Sequence, residues 1–165
     1  LATGVHLTTS AAGGPVSMEP VAAVMPVGTI DRRMISFEPA TLGAPVVATV
    51  QFSLGMAMSD GDAVDLLLVN FTAKRACFSI WSNEGDTFSS AVWDEVSMKL
   101  SFPVVGNIAK GADIVIVVPL SAGLQLPSTG IPANTSGIKL SANATDGNAY
   151  PETVQNDFIN QFSLF

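Results

Sequence analysis

The chain has 165 residues, seven basic and fourteen acidic, with a formal charge of -7 and 48% hydrophobic residues. This length suffices for one domain with its own core, and the acidic balance excludes nucleic acid as a partner because phosphate would be repelled. The single cysteine, Cys77, excludes an internal disulfide and a cysteine-based zinc cluster. No apolar run reaches the ~20 residues that a membrane-spanning helix needs, so no membrane span is predicted.

The two extremities of the chain carry related sequences, since positions 1–21 align with positions 134–154 at an offset of 133 residues. The identical pairs are Gly4/Gly137, Leu7/Leu140, Ala11/Ala144, Gly14/Gly147, Glu19/Glu152 and Val21/Val154. Self-similarity at a fixed period is typical of repeat arrays. We therefore predict that 1–27 is the C-terminal tail of a preceding repeat or an N-terminal linker strand, and that 28–154 is one repeat module.

Along the chain, short apolar runs alternate with Gly, Pro, Ser and Thr, the pattern of many short strands joined by turns. The first runs lie at 33–39, 46–54, 62–71 and 77–82. In 46–54, every second residue from Val46 to Leu54 is apolar and is predicted to face the core. The run at 77–82 is apolar enough for both Cys77 and Trp81 to be predicted in the core.

The second half continues with runs at 87–93, 95–102 and 109–119, and two more short strands are expected at 123–127 and 137–143. In 95–102 the residues from Val96 to Phe102 alternate, with the apolar set predicted to face inward. The run at 109–119 repeats the design of 59–71: a glycine turn followed by a β-rich strand. After residue 150 the sequence fits an extended segment and a short helix equally well.

These elements predict an all-β fold: an antiparallel two-sheet β-sandwich of the Ig-like or Greek-key type with about eight strands. The apolar C-terminal segment 155–165 is predicted to dock onto a neighbouring copy through Phe158, Phe162 and Phe165.

Several stretches resemble the tandem β-sandwich repeat modules of very large secreted or cell-surface proteins of algae and related protists. They are the Gly-Asp, apolar strand, Asn-Phe order at 61–71, Trp93-Asp94, IAKGADIVIVVP at 108–119, and GLQLP with GIKLSANA within 123–144. The resemblance implies an extracellular or cell-surface location and an adhesive or fibre-forming role, and it brings no catalytic residues.

Few residues of the sequence are candidates for catalysis or metal binding. His6 is the only histidine and aligns with Lys139, which favours a solvated strand position over a catalytic base. Loop carboxylates at strand ends can hold calcium, and Asp60, Asp62 and Asp86 are the candidate ligands, although turn chemistry also explains the first two. We therefore predict that the chain is not an enzyme and that calcium is the one cofactor to consider.

Three Asn-x-Ser/Thr sequons begin at Asn70, Asn134 and Asn143 and predict N-glycosylation, with Asn70 the least accessible because it ends a buried strand. Trp93 is the candidate carbohydrate contact because an exposed indole can stack on sugar, although a core position is favoured for it as well. The sequence thus predicts a noncatalytic structural or adhesive module that joins neighbouring copies head to tail. The alternative is a carbohydrate- or calcium-binding module of a surface protein.

Overall fold

A computed structural model describes residues 6–9, 12–14, 16–20, 27–157 and 159. The strands are β1 (His6–Thr9), β2 (Val16–Pro20), β3 (Ile30–Glu38), β4 (Val47–Leu54), β5 (Ala63–Leu68), β6 (Cys77–Ser79), β7 (Trp81–Ser82), β8 (Ser90–Asp94), β9 (Lys99–Pro103), β10 (Asp113–Val118), β11 (Ile138–Asn143), β12 (Ala149–Thr153) and β13 (Gln155–Asn156). Two short 3₁₀ helices lie at Gly85–Phe88 and Leu120–Ala122. None of the helices in these described ranges is long and apolar enough to cross a bilayer.

The strands form a two-sheet β-sandwich, as predicted. The five-stranded sheet has the order β13-β3-β4-β10-β7, and the six-stranded sheet has the order β12-β11-β5-β9-β8-β6. Neighbouring strands are antiparallel except β13, which runs parallel to β3. Strands β1 and β2 form a separate two-stranded sheet that is hydrogen-bonded to neither of the others.

The core lies between the two sheets and follows the period-two pattern of the sequence. In β4, Ala48, Val50 and Phe52 are buried and alternate with residues that reach the surface, which confirms the inward set predicted there. Val64, Leu66 and Leu68 of β5 line the facing sheet, each with no exposed area. At roughly 25 cal/mol per Å² of buried apolar surface, such alternation is the main source of stability.

Two similar connections carry the chain from one sheet to the other and pair with each other through a single backbone bridge. The connection from β4 to β5 and that from β9 to β10 meet at Met58 and Ile108, which exchange backbone hydrogen bonds of 3.0 and 2.8 Å. Each then turns at a glycine with positive φ, Gly61 (89°) and Gly111 (87°), a conformation that L-residues avoid. The predicted likeness of these two segments is confirmed, and it explains why β4 pairs with β10 while β5 pairs with β9.

Three details of the strand prediction were wrong. The run at 77–82 is divided at Ile80, so β6 and β7 lie at the edges of different sheets, and both Cys77 and Trp81 are exposed instead of buried. Val96 is 94% exposed because 95–98 forms the turn between β8 and β9. The stretch 123–127 is not a strand; Gln125 makes only single bridges with Pro45 and Thr72.

The described residues from 151 to 157 are extended and contain no helix, so in this part of the segment the extended alternative is confirmed. Strand β13 pairs with β3, and Ile159, 5% exposed, bridges to Ile131. The sandwich therefore continues past the predicted boundary at 154, and the first residues of the predicted docking segment 155–165 belong to it. Phe158, Phe162 and Phe165 lie outside the described residues.

Candidate assembly surface

The hairpin formed by β11 and β12 closes one side of the six-stranded sheet. Strand β11 pairs with β5 over its whole length, from Ile138 opposite Leu68 to Asn143 opposite Ala63, and β12 forms the outer edge. Leu140, at the centre of β11, has no exposed area and lies opposite Leu66 in the ladder. The hairpin is thus held by both a backbone ladder and an apolar face.

An arginine from the opposite sheet fixes the outer strand of this hairpin. Arg33 of β3 forms an ion pair of 2.7 Å with Glu152 and donates from Nε to the backbone oxygen of Thr153 at 3.3 Å. The Arg33 side chain is only 22% exposed, so this contact is better shielded from solvent than the ion pair of Arg32 with Asp113. It connects the edges of the two sheets.

We expect Arg33→Met to lower the free energy of unfolding by about 1 kcal/mol, because it removes a partly shielded ion pair while keeping the aliphatic stem. Amide hydrogen exchange should accelerate most in β12. Arg32→Met, which removes a pair between two largely exposed side chains, is the matched control and should change neither quantity appreciably.

Asp62 holds the turn of the same hairpin. Its side chain is 7% exposed, and Oδ1 accepts hydrogen bonds from the backbone N–H (3.1 Å) and the hydroxyl (2.9 Å) of Thr145. Oδ2 accepts the backbone N–H of Ser59 at 2.8 Å. Both carboxylate oxygens of Asp62 therefore accept hydrogen bonds from the protein. Asp62 has a structural role. We define the hairpin seat as strand β5 together with Arg33 and Asp62.

The other proposed calcium ligands lie elsewhere. Asp60 is exposed and accepts the backbone N–H of Gly106 at 3.3 Å, and Asp86 is exposed in the 3₁₀ helix Gly85–Phe88. Over the described part of the chain, no three His, Cys, Asp or Glu side chains gather as a metal site would require. The structure does not bring Asp60, Asp62 and Asp86 together.

The N-terminal hairpin of β1 and β2 has the same pairing as the hairpin of β11 and β12. His6 lies opposite Pro20, Leu7 opposite Glu19 and Thr9 opposite Val16, with a register shift between Leu7 and Thr9. At the 133-residue offset the pairs are Lys139 with Thr153, Leu140 with Glu152 and Ala142 with Ala149, with the shift between Leu140 and Ala142. Both turns contain a glycine with positive φ, Gly14 (123°) and Gly147 (138°). The aligned sequences therefore form the same local structure.

The two tryptophans differ in burial. Trp93 is 5% exposed because β8 directs it into the core, so the core position that the sequence favoured is confirmed and the candidate carbohydrate contact at Trp93 is wrong. Trp81 is 58% exposed on β7, at the edge of the five-stranded sheet beside Val117. Sequence reasoning missed it because its neighbours Phe78 and Ile80 are apolar, and the change of sheet at Ile80 leaves no trace in composition.

The three sequon asparagines are all exposed. Asn70 was predicted to be the least accessible, but it lies in the turn after β5 with φ of 68°. Asn134 lies in a loop with φ of 50°, and Asn143 ends β11. The Thr145 of the third sequon has a separate structural use, as the donor to Asp62. Glycosylation at these sites stays a prediction.

A depression of about 440 Å³ opens on the outer face of the five-stranded sheet. Its wall includes Met34, Gln51, Asn134 and Asn156, and Asp157 is the single carboxylate among its lining residues. The Asn156 amide is committed to the backbone of Pro132, Thr135 and Asp157. The lining therefore offers no pair of titratable groups for acid–base chemistry.

Asp94, at the turn between β8 and β9, is a carboxyl whose pKa is lowered by its hydrogen bonds. The Ser97 hydroxyl donates to its Oδ2 at 2.6 Å, and this, followed by the backbone N–H of Val96 at 3.0 Å, lowers the pKa of Asp94. The bonds stabilise the charged form, so their contribution is present above the unfolded pKa and is lost as pH falls through the folded pKa. This is turn chemistry at the surface.

We expect Ser97→Ala to raise the pKa of Asp94 toward its ordinary value, because the largest stabiliser of the carboxylate is removed. A carbon-detected NMR titration of the side chain measures this directly. Ser101→Ala, on the next strand, is the control and should leave Asp94 unchanged.

No family model, curated protein or solved structure that was compared matches this chain.

Proposed function

We propose that this chain is a noncatalytic structural module of an extracellular, surface-exposed array whose copies join head to tail. The observation that supports it most is the presence of one hairpin at both ends of the sequence, with the same register, the same register shift and the same positive-φ glycine. A hairpin that recurs at a fixed offset is typical of a repeat array.

The surface composition agrees with this role. Only 13% of the residues are charged, against roughly 25% in an average soluble domain, and exposed apolar side chains include Met34, Trp81 and Tyr150. A surface of this kind is suited to contact with neighbouring modules. The sequons at Asn70, Asn134 and Asn143 fit passage through a secretory route.

A tandem protein tests the proposal. In the native-hairpin tandem, residues 1–154 are followed directly by 22–165, so that two modules share the 133-residue period. By small-angle X-ray scattering we expect a rigid particle with about twice the maximum dimension of the single chain, because repeats in an array contact only their neighbours. Modules that tumble independently, or a second module that is unfolded, would contradict the proposal.

The alternative function, carbohydrate binding, is favoured by one observation: the exposed indole of Trp81 on the open face of the five-stranded sheet. If the chain binds carbohydrate through Trp81, its binding to a glycan array is abolished by Trp81→Ala. The circular dichroism spectrum of the variant should be unchanged. Val96→Ala, at an exposed turn residue, is the control. Binding that survives Trp81→Ala would remove this alternative.

A further inference from the structure

We propose that the β1–β2 hairpin is a docking element, and that its receptor is the hairpin seat of a second copy of this module. This rests on the proposed function and names the contact through which copies join. A module that ends at residue 133 lacks its own β11, β12 and β13. Residues 1–21 of the next copy then stand where 134–154 stand in this chain. The docked hairpin would form the ladder on β5 that β11 forms in this chain.

The residues that the two hairpins share are those that the seat requires. In the C-terminal hairpin, Leu140 and Val154 have no exposed area and Ala144 is 6% exposed. The carbonyl of Gly137 accepts the backbone N–H of Val69 at 3.0 Å, immediately after β5. Gly147 provides the positive φ of the turn. The identities at Leu140, Ala144, Gly147 and Val154 are therefore explained by burial or by backbone conformation, whereas any residue could make the backbone bond of Gly137.

The last identity, Glu19 with Glu152, is informative because neither burial nor backbone conformation requires a glutamate at an exposed strand position. In this chain Glu152 forms the 2.7 Å ion pair with Arg33. A hairpin that docks in the same register would present Glu19 to Arg33 of the second copy. The seat thus selects a charge as well as an apolar face.

Most positions that differ between the two hairpins are exposed in the C-terminal one. They include Asn143, Asp146, Asn148, Tyr150, Pro151 and Thr153. Some differing positions have structural roles in the C-terminal hairpin. The hydroxyl of Thr145 donates to Asp62, a bond that the aligned Ala12 cannot make. Ala142 and Ala149 are buried and paired with each other, and they correspond to the larger Thr9 and Val16. Both members of this pair are larger in the β1–β2 hairpin, so the docked hairpin requires a local adjustment of the packing to avoid overpacking.

The β1–β2 hairpin also needs a partner on energetic grounds. In the described residues its two strands are hydrogen-bonded in a sheet of their own, and a two-stranded hairpin by itself is at best marginally stable in water. Docking on β5 would extend the sheet and bury Leu7 as Leu140 is buried, so the hydrophobic effect favours the docked state.

The test is a second tandem of the same length as the native-hairpin tandem. In the exchanged-hairpin tandem, residues 1–133 are followed by the full chain 1–165, so the first module can only be completed by the sequence of β1 and β2. We expect both modules to unfold cooperatively, with the midpoint of the first within roughly 10 °C of that in the native-hairpin tandem. Arg33→Met in the first module should lower its midpoint equally in both tandems, because Glu19 replaces Glu152.

A third tandem is the matched control: in the hairpin at the junction, Leu7 is exchanged with His6 and Ala11 with Ser10. It should leave the first module unfolded. If the exchanged-hairpin tandem behaves like this control, or if Arg33→Met has no effect in it, the docking proposal is overturned. The array proposal is judged separately by the shape of the native-hairpin tandem, so the two failures are distinguishable.

Discussion

Asp62→Ala is expected to lower the free energy of unfolding by roughly 2–3 kcal/mol, measured by urea denaturation. The carboxylate accepts three hydrogen bonds from Ser59 and Thr145 while 7% exposed, so its removal leaves donors in partly buried positions. The loss should loosen the turn at 144–148, where hydrogen exchange should accelerate.

Asp60→Ala is the control, since that carboxylate is exposed and accepts one long bond from Gly106. We expect it to cost under about 0.5 kcal/mol. The two variants also test whether Asp62 binds calcium. If Asp62 were a metal ligand, added calcium would stabilise the parent chain and not the Asp62→Ala variant. Equal losses at Asp60 and Asp62 would contradict the structural role that we assign to Asp62.

Leu140→Ala is expected to cost about 3 kcal/mol in the single chain, because it removes a fully buried side chain from the centre of β11. Leu7→Ala is the matched variant at the aligned position. It should have little effect on the single chain, where β1 is outside both large sheets, and should destabilise the first module of the exchanged-hairpin tandem by an amount similar to that of Leu140→Ala. A Leu7→Ala variant that is silent in the tandem would contradict docking.

The sequence predicted the architecture well because alternation of apolar residues records which face of a strand is buried. The strand from 46 to 54 and the two glycine turns at Gly61 and Gly111 were found where expected. The internal similarity of 1–21 and 134–154 was also visible, and the structure adds that both copies have the same register.

The positions that were missed depend on which sheet a residue joins. Trp81 and Cys77 lie in an apolar run that composition places in the core, yet the chain changes sheets at Ile80 and leaves both at an edge. Arg33 was not singled out as a functional residue, because a basic residue at a strand irregularity has no distinctive local pattern. Its partner Glu152 is 119 positions away (152 minus 33). The identity of Glu19 and Glu152 was the signal that could have led to it.

The central claim is that β1 and β2 take the place of β11 and β12 on a second module. It is tested most directly by measuring the register of β1 against β5 of that module with disulfide cross-links. In this chain Lys139 lies opposite Leu67 on β5, and His6 is the residue aligned with Lys139. In the exchanged-hairpin tandem, with Cys77→Ser in both copies, Leu67→Cys in the first module is combined with His6→Cys or with Thr8→Cys at the junction. Docking in register predicts a disulfide with His6→Cys and none with Thr8→Cys, whose aligned partner is Asp65. Equal cross-linking of both pairs, or none, would contradict the account.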